Sequence, residues 1–189
     1  MLYPVPAVLV SCADKEGNTN LITVAWTGTV CSDPPMLYIS VRKERFSHHM
    51  ISETGEFVVN LTTKNIASAT DFCGVRSGKD IDKWAETKLT KGKALSVSAP
   101  IVEESPVNIE CKVTQVLELG SHDMFLAKVT AVQVDEAFFN ENGKFELNKT
   151  GLIAYSHGEY LNLGSMIGTF GYSVRKAKKK SRKVHRVNK

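Results

Sequence analysis

Apolar and polar positions in this chain alternate in short blocks, and the blocks predict strands joined by tight turns. Residues 7–13 are a nearly unbroken apolar run, Asp14-Lys15-Glu16-Gly17-Asn18 has turn chemistry, and residues 21–25 are apolar and β-branched, which together predict a first hairpin. Pro34-Pro35 stops regular structure and starts a new strand over residues 36–41. The middle of the chain changes period. Residues 46–54 predict one short helix and residues 66–72 another, the second capped by the polar run Thr62-Thr63-Lys64-Asn65. Residues 80–93 lack a sustained apolar stripe and predict a polar connection with at most a helical turn around Trp84. Over residues 107–119 the strands return: Val107, Ile109, Cys111 and Val113 alternate with Asn108, Glu110, Lys112 and Thr114, the period of a sheet with one wet face. Gly120-Ser121 turns that strand into residues 125–134, and Asn142-Gly143 marks a further tight turn between Phe139 and Phe145. Strand-rich halves around a short helical middle predict a mainly β fold with short helices. The expected form is a closed, six-stranded antiparallel barrel rather than a doubly wound parallel sheet.

Composition narrows this little, because 189 residues with 42% apolar and 23% charged content describe an ordinary globular domain able to bury a sizeable core. Charge is more informative. The net charge of +4 hides nine Lys or Arg and no acid in residues 175–189, which leaves fifteen bases against twenty acids in residues 1–174. A domain of residues 1–174 with a basic, solvated tail of residues 175–189 is therefore expected; contact of the tail with nucleic acid, anionic lipid or an acidic partner is the less favoured reading. No segment approaches the roughly 20 apolar residues that span a bilayer. Leu9-Val10-Ser11-Cys12 matches a lipoprotein cleavage box in its letters, yet the apolar run before it is short, interrupted by Pro4 and Pro6, and lacks a basic start. The four cysteines show neither Cys-x-x-Cys pairing nor neighbouring histidines, so reduced thiols, a cytoplasmic location and no metal site are expected.

Candidate chemistry concentrates between Asn20 and Asn60. Thr23, Val24, Ala25, Trp26, Thr27 and Gly28 form a run of small, β-branched and hydroxylated residues whose backbone can approach a flat, polar ring closely. Strand 36–41 delivers Ser40 and Val41 into the cationic Arg42-Lys43-Glu44-Arg45, just before the helix that opens near Ser47 and His48. Cationic side chains, a hydroxyl and free helix N-terminal amides converging on one point suit a phosphate monoester, with Arg42, Lys43, Ser47 and His48 as the expected phosphate group. The alternative is that Arg42 and Lys43 are a solvated strand end. Adjacent His48 and His49 point about 100° apart on a helix and make poor joint metal ligands. There is no Gly-x-Ser-x-Gly elbow, His-Glu-x-x-His helix or Gly-x-x-x-x-Gly-Lys loop.

These residues resemble the flavin reductase-like proteins that bind FMN in a split β-barrel, and within them the flavoredoxin branch. The resemblance runs through Thr23-Val24-Ala25-Trp26, Ser32-Asp33-Pro34-Pro35, Ile39-Ser40-Val41-Arg42 and Gly55-Glu56-Phe57-Val58-Val59-Asn60. It continues in Asp71-Phe72-Cys73-Gly74, Ser77-Gly78, Asp82-Lys83-Trp84 and Gly120-Ser121-His122-Asp123, covering roughly residues 5–173. It implies a Greek-key barrel, a homodimer, FMN as cofactor and NADH or NADPH as electron donor, with free flavin, a metal complex or a protein as acceptor. Two other readings stand beside it: an electron carrier without nicotinamide turnover, and a split-barrel module for another ligand such as haem or a deazaflavin. The resemblance places His122 near the nicotinamide, Cys73 near the flavin, and Lys83 with Trp84 within reach of the cofactor cleft of the neighbouring subunit. A strand-surface histidine and a small packing cysteine are the plain alternatives for the first two. Tyr155 to Tyr160 and Gly168 to Tyr172 resemble the branch's closing segment over the barrel.

Overall fold

In the computed structural model, which describes residues 2–175, the first hairpin forms where the pattern requires it. After a two-residue strand β1 (Val5–Pro6), β2 (Val8–Ala13) and β3 (Thr19–Val24) pair antiparallel, from Val8 opposite Val24 to Ala13 opposite Thr19. Asp14 makes the turn by accepting from the Asn18 amide at 2.8 Å. The segment expected as a loop after Trp26 is instead a strand, β4 (Thr27–Ser32), followed by β5 (Pro35–Arg42). Its small and hydroxylated residues disguise it, because β4 pairs on one side only and needs no apolar face.

Helix α1 (Phe46–Thr54) ends at Gly55, whose φ of 67° is left-handed and whose amide bonds the Ile51 carbonyl at 2.8 Å. Strand β6 (Glu56–Leu61) follows, then α2 (Ala67–Val75) after a 3-10 turn, and α3 (Lys83–Thr87). The Thr62 to Asn65 run gives α2 no side-chain cap, contrary to expectation, because the 3-10 turn intervenes; α3 is capped by Asp82, which accepts from the Trp84 and Ala85 amides. Short strands β7 (Lys91–Gly92) and β8 (Ile101–Val102) precede the long hairpin of β9 (Val107–Leu119) and β10 (His122–Val134). Strands β11 (Ile153–Ser156) and β12 (Glu159–Asn162), which the pattern did not reveal, join β1 in a second sheet.

The main sheet runs β3-β2-β6-β9-β10-β5-β4, antiparallel throughout. Its edges, β3 and β4, are joined by only Ala25 and Trp26, a span of at most about 11 Å, so the sheet must curl until the edges meet. The Ser40 amide donates to the Trp26 carbonyl at 2.8 Å across that junction. Six strands describe the barrel only when β3 and β4 are taken as one strand bent at Ala25-Trp26; seven are hydrogen-bonded in the sheet.

β2 is buried along its whole length because both of its faces are covered. Val8, Val10 and Cys12 join Ile39, Val41, Phe57 and Phe125 inside the barrel, which Met50 and Ile51 of α1 close at one end. Leu9 on the opposite face meets Leu21, Ile66, Cys73 and Trp84 beneath α2 and α3. The expected wet face of β9 is dry at Asn108 and Glu110. The loop over residues 93–99 lies across it, and the Glu110 carboxylate accepts from the Leu95 amide (2.9 Å), the Ser96 amide (2.6 Å), the Ser96 hydroxyl (2.7 Å) and Gln133 Nε2 (3.0 Å). The tail beyond Arg175, expected to be a solvated extension, lies outside the described residues.

Candidate functional site

Two adjoining cavities open beside the β3 to β4 junction. The larger, about 450 Å³, is walled by the free edge of β3 (Ile22, Thr23, Val24), by Ala25 and Trp26, and by Ser40, Val41 and Arg42 at the end of β5. His122 faces it from β10, where it lies opposite Arg42 in register, and Asp71, Gly74 and Val75 face it from α2. An aromatic wall completes it: the ring of Tyr3 lies 6.1 Å from Trp26 and 6.2 Å from Tyr155, with Tyr160 alongside. Burial, with the Asp71 carboxylate beside it, pushes the Tyr160 phenol up to about 12, so it stays protonated and able to donate at neutral pH. Because β3 is an edge strand, the backbone groups on its free side meet no neighbouring strand, which leaves those of the cavity-lining residues Ile22 to Val24 that face outward open to a ligand.

The smaller cavity, about 290 Å³, shares Ile22 and Arg45 with the larger one and has a different character. It gathers Arg45, Arg76 and Lys83 against the single carboxylate of Glu44, with Ser47, Ser77 and Asn20 supplying polar groups. Helix α1 begins in its wall without a side-chain cap, which leaves first-turn amides for a ligand. Lys83 is buried and donates to the Leu21 carbonyl at 2.7 Å and the Cys73 carbonyl at 2.8 Å; two of its three donors are spent, and one remains. Burial holds its pKa below that of an ordinary lysine. Asn20 Nδ2 donates to the Ser47 hydroxyl at 2.8 Å. A Cβ at position 78 would collide with the Asn20 side-chain amide, so a larger residue than Gly78 would displace Asn20 from Ser47.

Of the residues expected at the site, Thr23, Val24, Ala25, Trp26, Ser40, Val41, Arg42 and His122 meet in the larger cavity, and Ser47 and Lys83 in the smaller. Thr27 and Gly28 line neither, because they lie on β4, where Thr27 Oγ1 donates to the Tyr38 carbonyl at 2.6 Å. Lys43 and His48 line neither as well: both are drawn to Asp123, at 3.3 Å and 2.7 Å, and Lys43 also reaches Glu118 at 3.0 Å. Burial alone would resist ionisation of Asp123, but hydrogen bonds from His48 and Lys43 outweigh it and hold the carboxyl below its usual range. Cys73 sits on the buried face of α2, where burial pushes its thiol up to about 11; it lines neither cavity. The cationic cluster thus centres on Arg45, which stood in the same basic run, and on Arg76, which only the spatial return of α2 reveals. Asp71 and Tyr3 also escaped the sequence reading as site residues, whereas Tyr155 and Tyr160 of the expected closing segment stand beside Trp26 in the cavity wall. Among the described residues, no three His, Cys, Asp or Glu side chains come together as metal ligands, and all four cysteines are free thiols. Among the described residues, no helix is long and apolar enough to cross a membrane.

Comparison with known proteins agrees with this fold. Flavoredoxin of Desulfovibrio vulgaris (Miyazaki F) superposes with a TM-score of 0.86 at 29% identity, covering 93% of this chain and 95% of its own. Flavoredoxin from Methanosarcina acetivorans gives 0.83 at 27%, with coverages of 93% and 95%. A sequence relative, FMN reductase (NADH) RutF of Acinetobacter baylyi, is 24% identical over 72% of this chain and 73% of its own length. These likenesses place the barrel among the split-barrel folds. The family model described as flavin reductase like domain matches residues 1–164, and the chain belongs to that family.

Proposed function

We propose that the chain binds FMN, ring in the larger cavity and phosphate in the smaller, and acts as an NAD(P)H-dependent flavin oxidoreductase. The observation that carries this reading is the junction of two cavities of opposite chemistry at Ile22 and Arg45. One is walled by strand-edge backbone and aromatic rings, the other by three cations, hydroxyls and a helix N-terminus, and a ligand that is flat at one end and anionic at the other satisfies both. When bound, FMN supplies the carrier chemistry by which a hydride or electrons pass between donor and acceptor.

The protein's part is placement. The free edge of β3 and the Ala25-Trp26 junction orient the ring, Arg45, Arg76 and Lys83 neutralise the phosphate, and the Ser47 hydroxyl, fixed by Asn20, contributes a hydrogen bond. His122, beside Arg42 at the cavity wall, places the nicotinamide. A cytoplasmic homodimer is the expected working form. The likeness to two flavoredoxins supports a second reading, an electron carrier that passes electrons to a small molecule or protein without turning over nicotinamide itself. Release of the chromophore from purified protein tests the cofactor: mass spectrometry should find FMN at one equivalent per chain. Finding FAD, riboflavin, haem or a deazaflavin instead would overturn it.

A further inference from the structure

We infer that the apolar arm of residues 163–174 is a clasp for a second copy of this chain, laid on the outer face of that copy's β5 and β10 beside its larger cavity. The inference rests on the homodimer of the proposed function and assigns a part of the chain to it. From Tyr160 to Val174 there is no Asp, Glu, Lys, Arg or His. Along this neutral stretch Met166 is 74% exposed, Ile167 92%, Phe170 fully and Val174 83%. Scattered exposed apolar residues are ordinary, but this density of them in one segment marks a surface made to be covered. Of the segment expected to close over the barrel, Tyr155 to Tyr160 stands at the cavity, whereas Gly168 to Tyr172 does not pack on its own barrel. It is shaped by local bonds, the Tyr172 amide to the Thr169 carbonyl at 2.9 Å and the Val174 amide to the Gly171 carbonyl at 3.3 Å.

A matching face lies on the same molecule. Along β10, Asp123, Phe125 and Ala127 point into the barrel and are buried, so Met124 and Leu126 point outward, where they are only partly covered. In register, Met124 lies beside Leu117 of β9, and Leu126 beside Tyr38 of β5. These four side chains are neutral, bounded by Lys128 at one end and by His122 and Arg42 of the larger cavity at the other. The arm itself leaves the body from β12, which carries Tyr160 of the cavity wall. Its exposed side chains would bury on the order of 700 Å² per copy, close to the roughly 800 Å² per partner of a standard interface. A second copy meets both requirements at once, since each copy offers one arm and one neutral face.

Sedimentation equilibrium across a dilution series should compare four chains: full length, a chain ending at Val174, a chain ending at Asn162, and full-length Ile167→Asp/Phe170→Asp. Full length and the chain ending at Val174 should dimerise equally. The other two should dimerise at least ~100-fold more weakly, since two large apolar side chains per arm lose their cover. Their far-UV circular dichroism and melting should be unchanged below the dimer range, because the arm packs on nothing in its own barrel. Dimerisation of the chain ending at Asn162 as tight as that of the chain ending at Val174 would overturn the clasp and leave the homodimer standing. A full-length chain that stays monomeric while holding FMN would remove the homodimer, and the clasp with it, without touching the cofactor assignment.

Discussion

Arg45→Ala should separate the two ends of the ligand. Arg45 stands in the wall shared by both cavities, and its backbone amide bonds the Arg42 carbonyl at 3.0 Å, so the turn that carries it does not depend on its side chain. A charge-assisted hydrogen bond to phosphate stabilises a complex by about 1.5–3 kcal/mol, and the exposed position of Arg45 places it toward the lower end. FMN affinity should fall roughly tenfold, whereas riboflavin, which has the ring and no phosphate, should lose less than about threefold. Quenching of flavin fluorescence on titration of the apoprotein reads both constants. Lys43→Ala is the internal control: its ammonium is engaged by Glu118 and Asp123, and FMN affinity should stay within about twofold. Equal losses for FMN and riboflavin, or unchanged FMN affinity in a folded Arg45→Ala protein, would refute the placement of the phosphate.

Other consequences are as direct. His122→Ala should slow flavin reduction by NADH or NADPH in stopped flow while leaving FMN bound and dithionite reduction intact; reduction at the wild-type rate would return His122 to a strand-surface role. Glu110→Gln should cost about 2 kcal/mol at pH 7 by chemical denaturation, since a carboxylate holding four donors becomes an amide that can accept at only one oxygen. Burial opposes ionisation of Glu110, yet its hydrogen bonds hold the carboxyl below the ordinary glutamate value. Its contribution is therefore complete above that ordinary value and lost as pH falls through the lower folded one, so the variant should show a flatter acid limb. Lys83→Met should lower the melting temperature and weaken FMN, because the Leu21 and Cys73 carbonyls lose their donor. Since burial depresses the Lys83 pKa, the wild-type apoprotein should gain stability on the variant as pH rises from that folded value toward the ordinary lysine value.

The helix of residues 46–54, the hairpin at Asp14 and the long β9 to β10 hairpin were legible because each is fixed by local chemistry: a period, a turn residue, a glycine cap. What escaped depends on neighbours distant in the chain. β4 has no apolar face because it stands at a sheet edge, and Glu110 looks solvated until the loop of residues 93–99 crosses it. The phosphate cluster illustrates the limit best. Arg42, Lys43 and Arg45 are equivalent in the sequence, but β10 brings Asp123 opposite Val41, and that carboxylate claims Lys43 and His48 and leaves Arg45 to the cavity. Arg76 and Asp71 reach the site only because α2 folds back against β3.

The visible spectrum of the purified protein, recorded anaerobically before and after addition of NADH or NADPH, tests the central claim most directly. The protein should be yellow, with a flavin absorption envelope that bleaches within the time of catalytic turnover when the nicotinamide is added. A colourless protein that takes up no FMN, or a flavin envelope that dithionite bleaches and neither nicotinamide does, would contradict that claim.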